Sequence, residues 1–192
     1  MKKHIIIIIT LLAFSLSLSA QEKSSEPIKP ALLVIDIQNK FLPIIEERER
    51  EIGMYFIKGY IEEFRKRGLP IICIHHSDPV EGPFPGTPEF DFPEDMGITK
   101  DDARVVKTYG NGFNKTELDK VLKEKGVNTL FLCGLSSVGC VIATYFGAKD
   151  YDYKAFMLKD AIMSHNSEYT SQVETIFEAV GWDVVELLIE QH

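Results

Sequence analysis

Short, unbroken apolar runs separated by helix-length stretches constrain the fold of this chain more than any other feature. ALLVID (31–36) is apolar at every position until it meets an acid, as a strand covered on both faces must be. LPIICIH (69–75), ARVVKTY (103–109), VNTLFLCG (127–134), YKAFMLKD (153–160) and WDVVELL (182–188) read as further strands. Residues 44–67 carry Ile44, Ile45, Ile52, Phe56, Ile57, Tyr60, Ile61 and Phe64 at helical spacing, and stop at Gly68 and Pro70. Thr116 can cap a helix over 117–125, and further helices are expected over 140–150 and 167–181. Residues 77–102 are rich in Pro, Gly and Asp and read as a long surface loop. Strands alternating with helices predict an α/β fold of three layers, αβα, around a six-stranded parallel, doubly wound sheet. In such a sheet a ligand site lies beyond the carboxyl ends of the strands.

The first 20 residues, MKKHIIIIITLLAFSLSLSA, stand apart from this pattern. Two lysines and a histidine precede an apolar stretch that closes in small residues, the layout of a secretory signal peptide. Cleavage after Ser19 or Ala20 would export the chain to the periplasm or the medium; an uncleaved anchor is the alternative. Residues 21–29 read as a flexible polar leader, and residues 30–192 as one domain large enough for a real core. Loss of Lys2 and Lys3 takes the net charge from −8 to −10. That acidity argues against nucleic acid or an anionic membrane as partner. A small molecule is the expected partner. Three cysteines, an odd and sparse set, exclude a disulfide scaffold, and no zinc-type spacing appears.

Three reactive residues fall at strand ends. Asp36 closes the first strand, Lys107 lies near the end of the third, and Cys140 follows the fourth and opens a helix. Singly, each has a plain reading: a turn residue, a solvated edge charge, a small buried thiol. At three ends of one sheet they form a coherent chemical set. A helix N-terminus and a nearby lysine both favour a thiolate. A carboxylate can take a thiol proton and later activate water. The turn GLSSVG before Cys140 can aim backbone N–H groups at a developing oxyanion. Cys73 and Cys133, inside apolar runs, read as core. Neither a Gly-x-Ser-x-Gly elbow nor a complete dinucleotide-binding glycine turn is present.

These blocks also resemble a family, the isochorismatase-like cysteine hydrolases, which include nicotinamidases, carbamoylsarcosine amidases and ureidoacrylate hydrolases. ALLVIDIQNKFLP, KTYGNGFNKTELDKVL, LFLCGLSSVGCVIATYFGAKD and FMLKDAIMS carry the resemblance, over about residues 30–188. It implies a catalytic triad of Asp36, Lys107 and Cys140. It further implies an oxyanion hole from the backbone amides of Ser136 and Cys140, and a cis peptide at Leu135–Ser136. Gln38, Phe41, His76, Phe113 and Ser137 are expected around the substrate. Ser137 and Val138 stand where many members have Thr and Asp. In His75-His76-Ser77-Asp78 the order of His and Asp is reversed relative to the nicotinamidase metal motif, and the next histidine is His165. No metal and no cofactor is therefore expected. The resemblance implies a homo-oligomer and a hydrolase that cleaves a C–N bond of a small amide or ureido-type substrate through a thioester. A non-catalytic small-molecule binding protein of the same fold and an isochorismate-type vinyl-ether hydrolase are the alternatives.

Overall fold

The computed structural model describes residues 26–192 apart from Gln191, so the expected signal peptide and most of the leader lie outside the described residues. Five parallel strands form one sheet in the order β3-β2-β1-β4-β5. They are β1 (Pro30–Ile35), β2 (Ile71–His76), β3 (Ala103–Lys107), β4 (Thr129–Leu135) and β5 (Lys154–Met163). β1 and β4 are buried at every position. That is why ALLVI and TLFLC are continuous apolar runs rather than alternating ones. At the edge, β3 alternates instead: Val105 and Lys107 are buried, while Arg104 and Val106 are exposed.

Five α-helices cover the two faces: α1 (Glu47–Lys66), α2 (Leu118–Glu124), α3 (Ile142–Asp150), α4 (Ser167–Ile176) and α5 (Trp182–Ile189). α1 and α5 bury Ile57, Tyr60, Ile61, Phe64, Val185 and Ile189 against one face. Leu118, Leu122, Ala148 and Val173, from α2, α3 and α4, pack on the other. The three layers are thus present, but the sheet has five strands where six are expected. WDVVELL is helical. Its buried residues Val185 and Ile189 are four apart and Trp182 stacks on Tyr60 at 4.8 Å, while Val184 and Leu187 face water. That is a helical period and not the alternation of two that a half-buried strand needs. Among the described residues only the Leu158–Val180 bridge extends pairing beyond β5.

The chain runs from β1 outward to β2 and β3, then returns to the other side of β1 for β4 and β5. The sheet order therefore reverses between β1 and β4, the crevice where α/β sheets bind ligands. The 77–102 loop is pinned rather than free. Asn39 N donates to Asp91 O at 2.9 Å, Lys40 N to Glu89 O at 3.1 Å, and Arg65 holds both oxygens of Asp102 at 3.1 and 2.8 Å.

Candidate active site

β1 delivers Asp36 to the crevice. Its N–H still donates to Ile74 O at 2.9 Å, yet its φ is +52°, a left-handed conformation that a short Asp side chain tolerates. Lys107 comes from the buried side of β3, where an unpaired ammonium would be costly. The pairing is supplied across the sheet: Nζ donates to Asp36 Oδ2 at 2.6 Å and to Cys140 Sγ at 3.2 Å. Cys140 sits in a single wide π-type turn, Ser137–Val141, between β4 and α3. The helix proper begins at Ile142, two residues after its expected start. Asp36, Lys107 and Cys140, far apart in sequence, are thereby in mutual contact. Asp36 Oδ1 is buried and has no partner.

The electrostatics differ from the expectation of a lowered thiol pKa. Burial and the Asp36 carboxylate push the Cys140 thiol up to about 11, and Lys107 offsets only part of this. The helix-end and lysine contributions are thus outweighed, and the resting sulfur is a thiol. Burial likewise raises the Asp36 carboxyl against the pull of Lys107, which makes it a stronger base.

A cavity of about 280 Å³ opens over the thiol. Asp36, Ser136 and Cys140 line its reactive end, and Phe41, Ile44, Ile45 and Leu135 its apolar wall, with His76 and His165 completing it. Ser136 O accepts from Gly139 N at 2.9 Å and Val141 N at 3.2 Å, which fixes the turn, and the Leu135–Ser136 peptide is cis. The amides of Ser136 and Cys140 flank this turn. A larger groove of about 370 Å³, lined by Glu46, Glu49, Asp160 and Glu174 among others, contains none of the three reactive side chains.

Phe41 and His76 line the cavity as expected, their rings 6.1 Å apart. Gln38, Phe113 and Ser137 do not. Gln38 is a backbone clamp: Oε1 accepts from His76 N at 2.7 Å and Nε2 donates to His76 O at 3.0 Å, which fixes His76 beside Asp36. Phe113 is buried on the other side, against Tyr151 and Tyr153 at 5.1 and 5.8 Å. The YGNGF glycines close a turn against Thr144 rather than steering that ring to the site. The Ser137 hydroxyl lies 3.3 Å from Thr170 Oγ1 in a buried network with Ser164 and Glu49. Ile44, Ile45, Leu135 and His165 were not expected at the site. Pro43 is a signal for the first two, since it lies in a short 3-10 turn, Leu42–Ile44, that ends where the expected helix over 44–67 begins. His165 follows the true end of β5 at Met163, three residues beyond the expected end at 160.

The histidines that end β2 do not fit a metal site. His75 is sandwiched between Phe92 at 4.1 Å and Phe90 at 4.8 Å, and burial pushes its pKa down to about 4. Asp78 is occupied by the amides of Val80 and Glu81, each at 2.8 Å. Among the described residues no group of three or more His, Cys, Asp or Glu side chains comes together as a cation site. No helix among them is long and apolar enough to cross a membrane.

Fold and site together define a hydrolytic α/β enzyme. The chain belongs to the isochorismatase family, whose domain matches residues 30–185. It is 30% identical over 138 residues to the isochorismatase family protein YddQ of Bacillus subtilis, which covers 68% of this chain and 76% of that protein. The ureidoacrylate amidohydrolase RutB of Caulobacter vibrioides is 23% identical over 200 residues, with 82% and 88% covered. The crystal structure of an isochorismatase-like hydrolase from Alkaliphilus metalliredigens superimposes with a TM-score of 0.72 at 28% identity, covering 80% of this chain and 86% of that one.

Proposed function

We propose that this enzyme cleaves the C–N bond of a small amide or ureido-type substrate through a thioester on Cys140. The observation that carries the reading is the bridging position of Lys107 Nζ, 2.6 Å from Asp36 Oδ2 and 3.2 Å from Cys140 Sγ, with Asp36 Oδ1 left unpartnered. The thiol proton passes to Asp36 as sulfur attacks the carbonyl carbon. The amides of Ser136 and Cys140 receive the oxyanion. Asp36 returns its proton to the departing nitrogen, the C–N bond breaks, and the thioester remains. Water then gives a proton to Asp36 and adds to the thioester; collapse expels the thiolate, which recovers that proton. Lys107 holds the carboxylate and steadies sulfur whenever it is charged. The resemblance to a ureidoacrylate amidohydrolase is a second line of support.

Export is part of the same proposal, supported by the order of charged, apolar and small residues over 1–20. Self-association is another part, supported by the family resemblance. A panel of small amides and ureides assayed for ammonia release tests the chemistry. Acid-quenched intact mass should reveal an acyl group on Cys140. Cys140→Ala should lower kcat by roughly 10³-fold or more. A cavity that binds amides but never acylates the cysteine would favour the non-catalytic binding protein, a reading supported by the raised thiol pKa and the Ser137-Val138 pair.

A further inference from the structure

The apolar wall of the cavity and the unpaired polar atoms at its floor divide the substrate into two chemically distinct halves. Phe41, Ile44, Ile45 and Leu135 present hydrocarbon. Among the described residues that line the cavity there is no lysine or arginine. Lys107 is paired with Asp36 and Cys140, and Lys40 and Arg50, held on the carbonyls of Glu81 and Leu42 (the latter at 3.3 Å), stand outside the cavity lining. Burial and the Lys107 charge hold the His76 imidazole below its usual pKa, so it adds no positive charge at neutral pH. His165 is solvent exposed. At the reactive end Asp36 Oδ1, Ser136 Oγ and His76 Nδ1 are each buried and without a partner. Such atoms call for a ligand that satisfies them.

Resting on the proposed amide chemistry, we infer that the substrate is an uncharged primary amide whose acyl half is a hydrocarbon, and that a carboxylate on that half is rejected. A carboxamide brings two N–H donors to these unpaired atoms, while its carbonyl oxygen meets the backbone amides of Ser136 and Cys140. Its hydrocarbon tail then lies along Phe41 and the isoleucines. At interior packing density, about 280 Å³ has room for roughly ten non-hydrogen atoms. A carboxylate in the tail would lose its water against hydrocarbon, gain no counter-charge, and share the cavity with the Asp36 anion.

The test uses two amides of one shape, 4-methylpentanamide and succinamate, in which an isopropyl group replaces a carboxylate. Titration calorimetry on the Cys140→Ala chain reads binding without turnover. The neutral amide should bind at least about tenfold tighter, the ratio that one unfavourable buried contact gives. Equal or tighter binding of succinamate overturns the inference, as does a failure of both to bind. Ile44→Arg, at a position 62% exposed and so tolerant of the change, places a cation on the wall and should shift the preference toward succinamate. An unshifted preference would also overturn the inference, because charge would not be what the wall discriminates. Ammonia release by the unmodified chain is read separately. Preferential binding of 4-methylpentanamide without its hydrolysis would sink the hydrolase reading and leave the specificity intact.

Discussion

Asp36 has two oxygens with two different tasks. Oδ2 is held by Lys107 at 2.6 Å, and Oδ1 is buried and unpaired, so the carboxylate is both anchored and available. Its charge is also one reason the Cys140 thiol lies at about 11. The signs follow from that placement. Removing a neighbouring anion favours the thiolate, and removing a neighbouring cation disfavours it. In the unmodified chain the pH midpoint of iodoacetamide labelling at Cys140 should lie well above the free-thiol value of about 8.5. In Asp36→Asn it should fall by about one unit or more, because Lys107 then faces sulfur without its counter-ion. Turnover should be lost in the same variant, since nothing takes a proton from water. A midpoint that stays in place or rises would mean that the carboxylate and the thiol are not coupled. The identities of these residues were legible in the sequence, because strand ends are where such a sheet puts its chemistry. Their balance of charge was not. Burial is the largest cause of the Cys140 shift, and burial is a property of the packed chain rather than of any short motif.

Strands β1 and β4 approach each other closely at Gly134, just beneath the site. At Gly134 φ is +113°, and a Cβ there would lie 2.0 Å from Ile35 O, the carbonyl immediately before Asp36. Side chain and backbone cannot share that space, so the two strands would have to part. Gly134→Ala should therefore cost roughly 3 kcal/mol or more, read as a drop in the urea midpoint. Gly68→Ala is the control. Its φ is +67° but nothing lies within 4 Å of the added carbon, so it should cost only about 1 kcal/mol of backbone strain. Comparable losses at both positions would remove the argument from close approach. The central elements were the easiest to read, since ALLVI and TLFLC are buried on both faces and say so in composition. The last was not. WDVVELL has enough β-branched and apolar residues to pass for a strand. Only the spacing of Trp182, Val185 and Ile189, fixed by what α1 offers them, shows the helix.

At the scale of the molecule, the site is assembled from one residue on each of three non-consecutive segments, and the 77–102 loop contributes no cavity residue. In the sequence the 77–102 segment reads as a long surface loop. Its attachments show a brace: Phe90 and Phe92 clasp His75, and Asp102 ties the loop to Arg65 near the end of α1. Arg65 NH2 also donates to Gly97 O at 2.9 Å. Arg65→Ala should speed proteolytic nicking within 77–102 and lower stability by about 1 kcal/mol, while amide hydrolysis stays near its original rate. A fall in kcat with unchanged proteolysis would instead assign the loop a part in turnover.

The protonated state of the Cys140 thiol has a consequence outside hydrolysis. Peroxides oxidise thiolates far faster than thiols. With its pKa pushed up to about 11, Cys140 is a thiol at neutral pH. Cys73 and Cys133 are fully buried and their thiols are also pushed up, the former to about 12. The chain's three cysteine thiols therefore form no disulfide and react slowly with oxidants. Its nucleophile is kept from sulfenic acid first by burial and then by the same carboxylate that takes its proton when a substrate arrives.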